Sequence, residues 1–469
     1  MQPGWAELLR GGNAARSAVV GGSLVLHALN TFIVATILPS VVRDIGGLRW
    51  FAWSTVLYIV ASLLGGGLCA RLLRAAGGRG AYRVALTAFV LGSAACALAP
   101  SMPALLAGRA VQGLGAGTLS ALGFTMVRTL FPPALWPRAL SVASIAWGAA
   151  TLLGPATGGV FAEFGAWRAA FWGVAAVAPL LLALVETALP RRLPTPSAPR
   201  TALPVGNLLL LGGSVLAVSA GSMSAEVAVT GACLAAALGG FAWFARREAR
   251  GGARLFPDGA TRPGAPLAAT YAAMILLLAG TTPEIFVPYF LQTLHGLRPL
   301  HAGYVSALMS MGWTLAAVGA ASVTSAAARA ALIAGPAVLA AGLAALALRM
   351  PHPGASLADL VVIAPALLAV GGGIGMTWPH LGARVFGFAS EADRDLAGAS
   401  ITMVVMVGNA AGAALGGMVT GLAGLSVPGG AAGAESAASW LFGGFMVAPL
   451  LAALAIRRLP DATRRAAAQ

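Results

Sequence analysis

Lysine is absent from this 469-residue chain, and all 29 basic side chains are arginine. Acidic residues number only 14, and charged residues of both signs make up 9%, against roughly a quarter in soluble domains. Hydrophobic residues reach 58%. So few charges cannot cover so much apolar surface in water, which excludes a cytosolic enzyme, a disordered scaffold and a secreted disulfide domain. The three cysteines, Cys69, Cys96 and Cys233, show no CxxC or metal-ligand spacing and read as small packing residues. The five histidines are dispersed, HExxH is missing, and no serine–histidine pairing stands out. Neither a metal site, a cofactor nor an enzyme activity is expected. The lack of a P-loop argues against ATP-driven pumping by this chain alone.

What the chain does have is long, continuous apolar runs. They lack the period-two alternation of an outer-membrane barrel. About 20 apolar residues cross a bilayer as a helix, and the apolar content fills roughly fourteen such spans. We read them at 17–41, 51–73, 82–100, 104–128, 138–162, 168–189, 204–222, 226–245, 266–291, 301–325, 330–349, 357–380, 397–424 and 437–456. Met1 to Arg16 carries no cleavable signal pattern, so the first span is expected to stay as an anchor. Trp5, Leu8 and Leu9 are expected as one helical turn on the membrane surface.

Arginine placement orients the spans. With the N-terminus in the cytoplasm, Arg43, Arg49, Arg168, Arg298 and Arg349 fall outside and Arg109 lies inside the membrane; the other 23 of the 29 fall inside. This bias follows the positive-inside rule and places both termini in the cytoplasm. The short basic loops read as topology signals, not as a nucleic-acid groove. Arginine, alanine and glycine richness without lysine suggests a GC-rich bacterial genome, hence an inner-membrane location. The expected fold is an all-α polytopic membrane protein: a six-helix bundle at 1–189, a segment at 190–265 with two additional helices, and a second six-helix bundle at 266–469. Residues 190–203 form a proline-rich linker and 246–265 a basic one.

Three stretches carry a resemblance. The fourth span opens Gly108-Arg109-Ala110-Val111-Gln112-Gly113-Leu114-Gly115-Ala116-Gly117. The fifth reads from Trp147-Gly148 to Gly154-Pro155-Ala156-Thr157-Gly158-Gly159, followed by Gly165-Ala166-Trp167-Arg168. The first contains NTFIVATILP from Asn30 to Pro39. These resemble the fourth-helix, antiporter and first-helix motifs of the major facilitator superfamily, in particular its 14-span drug:proton antiporters. The six-two-six layout, and Arg246-Arg247 through Leu255-Phe256, point the same way. The resemblance implies a major-facilitator fold and favours export.

The residues themselves say why these positions matter. A guanidinium inside a span costs roughly 2.5–3.5 kcal/mol on insertion scales, so Arg109 must find acceptors in protein or a wet cavity. It reads either as an element tuning a proton or substrate site, or as a structural cap on neighbouring carbonyls. Gln112, one turn on, can share its network. Gly113 and Gly117 allow close helix approach. Gly148, Gly154, Gly158 and Gly159 give the fifth span a smooth face, and Pro155 removes one backbone hydrogen bond, so this helix is a candidate hinge or seal. The loop after span two keeps Arg71 but has Ala70 where the family pattern has an acid, and the loop from Ala320 to Arg329 has also lost its acid. The family's acidic position in span one matches Asn30, which cannot titrate.

Few proton carriers remain. Glu284, in Thr281-Thr282-Pro283-Glu284 within span nine, is a functional candidate as an intramembrane carboxylate, and Pro283 is expected to open the helix beside it. The alternative is a Glu near enough to the surface to be solvated. His27 shares a face with Asn30 and reads as a proton relay, a substrate contact, or a neutral histidine bonded to a neighbouring helix. Trp147, Tyr289, Tyr304 and Trp313 are candidates to line an apolar cavity, and Asn409 is a candidate polar contact in span thirteen. The expected activity is secondary transport by alternating access: proton-coupled export of lipophilic small molecules, or uncoupled or lipid transport. The expected partners are that substrate, protons and the lipid bilayer, with no nucleic acid, and a monomer is expected.

Overall fold

The computed structural model describes residues 5–8, 10–132, 135–190, 205–224, 226–250, 254–321, 325–354 and 357–460. The predicted linker, beyond Pro190, lies outside the described residues. The described elements are helical throughout: α1 (Trp5–Leu8), α2 (Gly11–Ile45), α3 (Phe51–Ala97), α4 (Met102–Leu130), α5 (Trp136–Glu163), α6 (Trp167–Ala188), α7 (Val205–Gly221), α8 (Val227–Ala249), α9 (Pro266–Thr281), α10 (Val287–Thr293), α11 (Pro299–Ala321), α12 (Ser325–Arg349), α13 (Leu357–Phe388), α14 (Arg394–Leu422), α15 (Gly430–Phe445) and α16 (Val447–Arg457). Among the described residues, eleven helical stretches are long and apolar enough to cross a membrane, and α7 is a shorter apolar helix. In lipid every backbone polar group must be satisfied within its own segment, which is why apolar runs of this length become helices.

Two expectations about local structure are refined. The predicted loop between spans two and three is one residue: Gly77, at φ 66° and ψ −178°, interrupts α3. Only glycine adopts that φ without strain, so the flanking helices run almost to the break. Leu8, expected on the membrane surface, is fully buried in α1, and its carbonyl accepts from Ser17 Oγ at 3.2 Å.

The chain forms two compact units: Met1–Gly47 with Leu57–Leu203, and Leu48–Val56 with Pro204–Gln469. In the first unit, α4 packs along α3 through its glycines. A Cβ on Gly113 would meet the backbone of Tyr58, and one on Gly117 the backbone of Ser62. Ser62 Oγ donates to Gly113 O at 3.0 Å and Thr118 Oγ1 to Gly65 O at 3.0 Å. Small residues allow such contact in a membrane, where no hydrophobic force drives helices together. Ion pairs tie the helix ends: Asp44 with Arg168 at 2.5 Å, and Glu186 with Arg83 at 2.7 Å and Arg79 at 3.3 Å.

In the second unit, α7 and α8 pack on each other and α7 on α14. The residues after α8 are pinned by Glu248, which is buried. Its Oε1 accepts the backbone N–H groups of Leu255 (2.5 Å) and Phe256 (2.6 Å), and its Oε2 accepts from Asn207 Nδ2 of α7 (2.7 Å). Phe256 meets the rings of Phe244 and Tyr271 edge-on, and Arg254 pairs with Asp393 at 2.9 Å. Phe51, at the start of α3, also belongs to this unit. It stacks on Phe286 at 5.2 Å and meets Tyr289 edge-on at 5.6 Å.

Candidate functional site

The candidate residues fall in a polar constellation in each unit. In the first, Gln112 is the hub. Its Oε1 accepts from Arg109 Nη1 at 2.5 Å and from Asn30 Nδ2 at 3.4 Å, while its Nε2 donates to Ser93 Oγ at 2.7 Å. Asn30 and Gln112 are fully buried and Arg109 is 2% exposed. The Arg109 guanidinium lies over the Tyr58 ring, 4.0 Å from its centroid, a cation–π contact that strengthens when desolvated. Tyr58 OH lies 3.1 Å from His27 Nδ1, and the two rings stack at 5.6 Å. Trp147 meets His27 edge-on at 6.0 Å. Helices α2, α3, α4 and α5 thus bring His27, Asn30, Arg109, Gln112 and Trp147 together.

Tyr58, absent from the candidates read from sequence, links the arginine to the histidine. Its signal was rarity: one of five tyrosines, set in the middle of an apolar run. Asn30 Oδ1 is a buried acceptor without a hydrogen-bond partner in the structure, a costly state that invites a donor.

The glycine face of α5 divides. A Cβ on Gly154 would strike Phe32 and one on Gly158 would strike Ile33 O, so these two residues seat α5 on α2. Pro155 lies within α5 between them and is buried, as is Gly159. A Cβ on Gly148 would meet nothing within 4 Å. Arg71 is exposed.

In the second unit, the ninth predicted span breaks where Pro283 stands. Helix α9 ends at Thr281, a 3-10 turn covers Thr282–Phe286, and α10 resumes at Val287. Proline supplies no N–H, so one rung of the α-helical ladder is missing here. Glu284 sits in that turn, half-buried, and its Oε1 accepts from Ser310 Oγ of α11 at 3.2 Å. A discontinuous helix carrying a carboxylate is the kind of element that exchanges ions near a bilayer midplane.

The other candidates of this unit have their own surroundings. Tyr289 is 9% exposed, packed against Phe51 and Phe290. Trp313 packs on Trp378 of α13, with ring centroids 5.7 Å apart. Tyr304 is 43% exposed and lies nine residues before Trp313, on the opposite face of α11 at 100° per residue. Asn409 is half-buried on α14.

Apolar helices of membrane-spanning length around buried polar clusters define a polytopic membrane protein. A family model described as Major Facilitator Superfamily matches residues 20–416, and the chain belongs to that family of secondary transporters. A protein of Mycobacterium tuberculosis described as a probable multidrug-efflux transporter is 37% identical over 427 residues, 89% of this chain and 90% of that one. The tetracenomycin C resistance and export protein of Streptomyces glaucescens is 28% identical over 313 residues, 64% of this chain and 56% of that one. A crystal structure of a D-xylose-proton symporter matches with a TM-score of 0.68 at 15% identity, covering 96% of this chain and 99% of that one. At that identity the likeness speaks for the fold alone.

Proposed function

We propose that this transporter exports lipophilic small molecules by alternating access and couples their exit to proton entry. In this reading fourteen spans cross the bacterial inner membrane with both termini cytoplasmic, residues 1–189 and 266–469 being the two bundles and 190–265 the linker with two extra helices. Helix α3 then contributes two spans, on either side of Gly77, and α9 with α10, and α15 with α16, one each.

The observation that carries the coupling is Glu284, a carboxylate held by Ser310 in a broken intramembrane helix. Export is supported by the Mycobacterium tuberculosis relative, described as a probable multidrug-efflux transporter and 37% identical over nine-tenths of its length. Arg109 and His27 are the proposed electrostatic partners in the first unit, with Asn30, Gln112 and Trp147 beside them to receive substrate. Tyr289, Trp313 and Asn409 are the substrate contacts proposed for the second unit, Tyr304 standing on the opposite face of α11 from Trp313, and Arg71 is proposed as a gating residue.

One observation favours uncoupled transport instead. Asn30, at the family's acidic position, is bonded as an amide to Gln112, so the first unit has no carboxylate at that point. The test is flux of lipophilic cationic and neutral dyes in proteoliposomes under an imposed pH gradient, comparing wild type with Glu284→Gln. Gradient-driven flux lost in the variant supports antiport through Glu284. Flux indifferent to both gradient and substitution supports the uncoupled reading.

A further inference from the structure

His295 lies in the turn between α10 and α11, is 2% exposed, and belongs to neither constellation described above. Its ring nitrogens both face backbone carbonyls of the turn after α12: Nδ1 is 2.6 Å from Gly354 O and Nε2 is 3.1 Å from Met350 O. A third bond joins the same two turns, from Gly354 N to Leu294 O at 3.2 Å. A carbonyl oxygen can only accept. A neutral imidazole has one N–H and one lone pair, whereas an imidazolium has two N–H groups. No rotation of the ring lets the neutral form donate to both carbonyls.

We infer that His295 is a proton-binding site: with the proton bound, the ring staples the α10–α11 turn to the α12–α13 turn through two donated hydrogen bonds, and with the proton lost one arm opens. Charged and titratable groups stand on the neighbouring turns and helices. Arg298 and His301 share with it a cavity of about 240 Å³, together with Leu360. His352 lies in the facing turn. Asp359, at the start of α13, pairs with Arg349 of α12 at 3.1 Å, and its Oδ2 would sit 3.0 Å from a Cβ on Gly354. By geometry the contact changes its donor count by one when the ring gains or loses a proton.

The inference is independent of the transport reading and is tested without any flux. Protein labelled with [15N]histidine is placed in lipid nanodiscs and followed by NMR from about pH 5 to 8, the His295 signals being assigned by their loss in His295→Gln. The expected result is two protonated ring nitrogens at the acid end and one at the alkaline end. Across the same range the Gly354 amide, corrected for intrinsic exchange, should lose protection by roughly 2- to 10-fold, the worth of one net hydrogen bond. That change should be missing in His295→Gln. If the variant does not accumulate, the wild-type nitrogens decide, assigned by their proximity to Gly354. A single neutral tautomer throughout, or a ring whose protonation leaves Gly354 protection unmoved, would overturn the inference.

Discussion

Replacing Gly117 by alanine tests whether α4 is seated on α3 by backbone contact. The added methyl would land on the carbonyl oxygen, Cα and carbonyl carbon of Ser62. These are backbone atoms, so no side-chain rotation relieves the overlap. The two helices must part by roughly 1–2 Å to restore an ordinary carbon contact of about 3.5–4.0 Å. A gap of that size forfeits about half or more of each dispersion contact along the seam. It also lengthens the 3.0 Å bonds from Ser62 Oγ to Gly113 O and from Thr118 Oγ1 to Gly65 O. Interhelical hydrogen bonds in membranes are worth about 0.6 kcal/mol each, and overpacking typically costs about 1–3 kcal/mol. We therefore expect a loss of about 2–3 kcal/mol. The control is Gly148→Ala, where nothing lies within 4 Å of the new methyl; helix propensity alone makes it neutral or stabilising by up to about 1 kcal/mol. Both are read by reversible unfolding in mixed micelles. Equal stability of the two variants would refute close packing of α3 on α4.

Gln112→Leu should be more damaging than Gln112→Glu, because leucine strips the acceptor from Arg109 and Asn30 and the donor from Ser93. We expect about 2–4 kcal/mol for leucine, since each buried polar group left short costs about 1–3 kcal/mol, while glutamate keeps the acceptor; thermal inactivation of the solubilised protein ranks them. Glu248→Ala removes the acceptor of two backbone N–H groups and of Asn207. Limited proteolysis should then cut the chain near residues 254–258 several times faster than in wild type, and an unchanged rate would show that the clamp does not hold that segment.

Much of the fold is legible in the sequence. Apolar run length is a strong signal because a bilayer demands it, and the break in the ninth span followed from Pro283 because a proline cannot donate. The pairing of Arg109 with Gln112 followed from their i, i+3 spacing. What was not legible depends on tertiary approach. Gly148 and Gly154 are equivalent as residues, yet only Gly154 meets Phe32, because which face of α5 touches α2 is not written in small-residue spacing. Tyr304 and Trp313 were grouped by chemistry, but helical phase sends them to opposite sides. Glu248, within a basic helix end, carries no sequence signal of burial; its role comes from the N–H groups that Leu255 and Phe256 offer it. Tyr58 was passed over because an aromatic in an apolar run is usually packing, and only its neighbours make it a bridge.

The central claim, proton-coupled exchange through Glu284, is tested most directly by reversing the driving force. Proteoliposomes loaded with a pH indicator are given a gradient of transported dye and no pH gradient. The account predicts that downhill dye movement shifts the lumenal pH in the direction of counter-moving protons. Glu284→Gln should abolish that shift while dye-for-dye exchange continues. Downhill dye flux in wild type with no pH change would contradict the account.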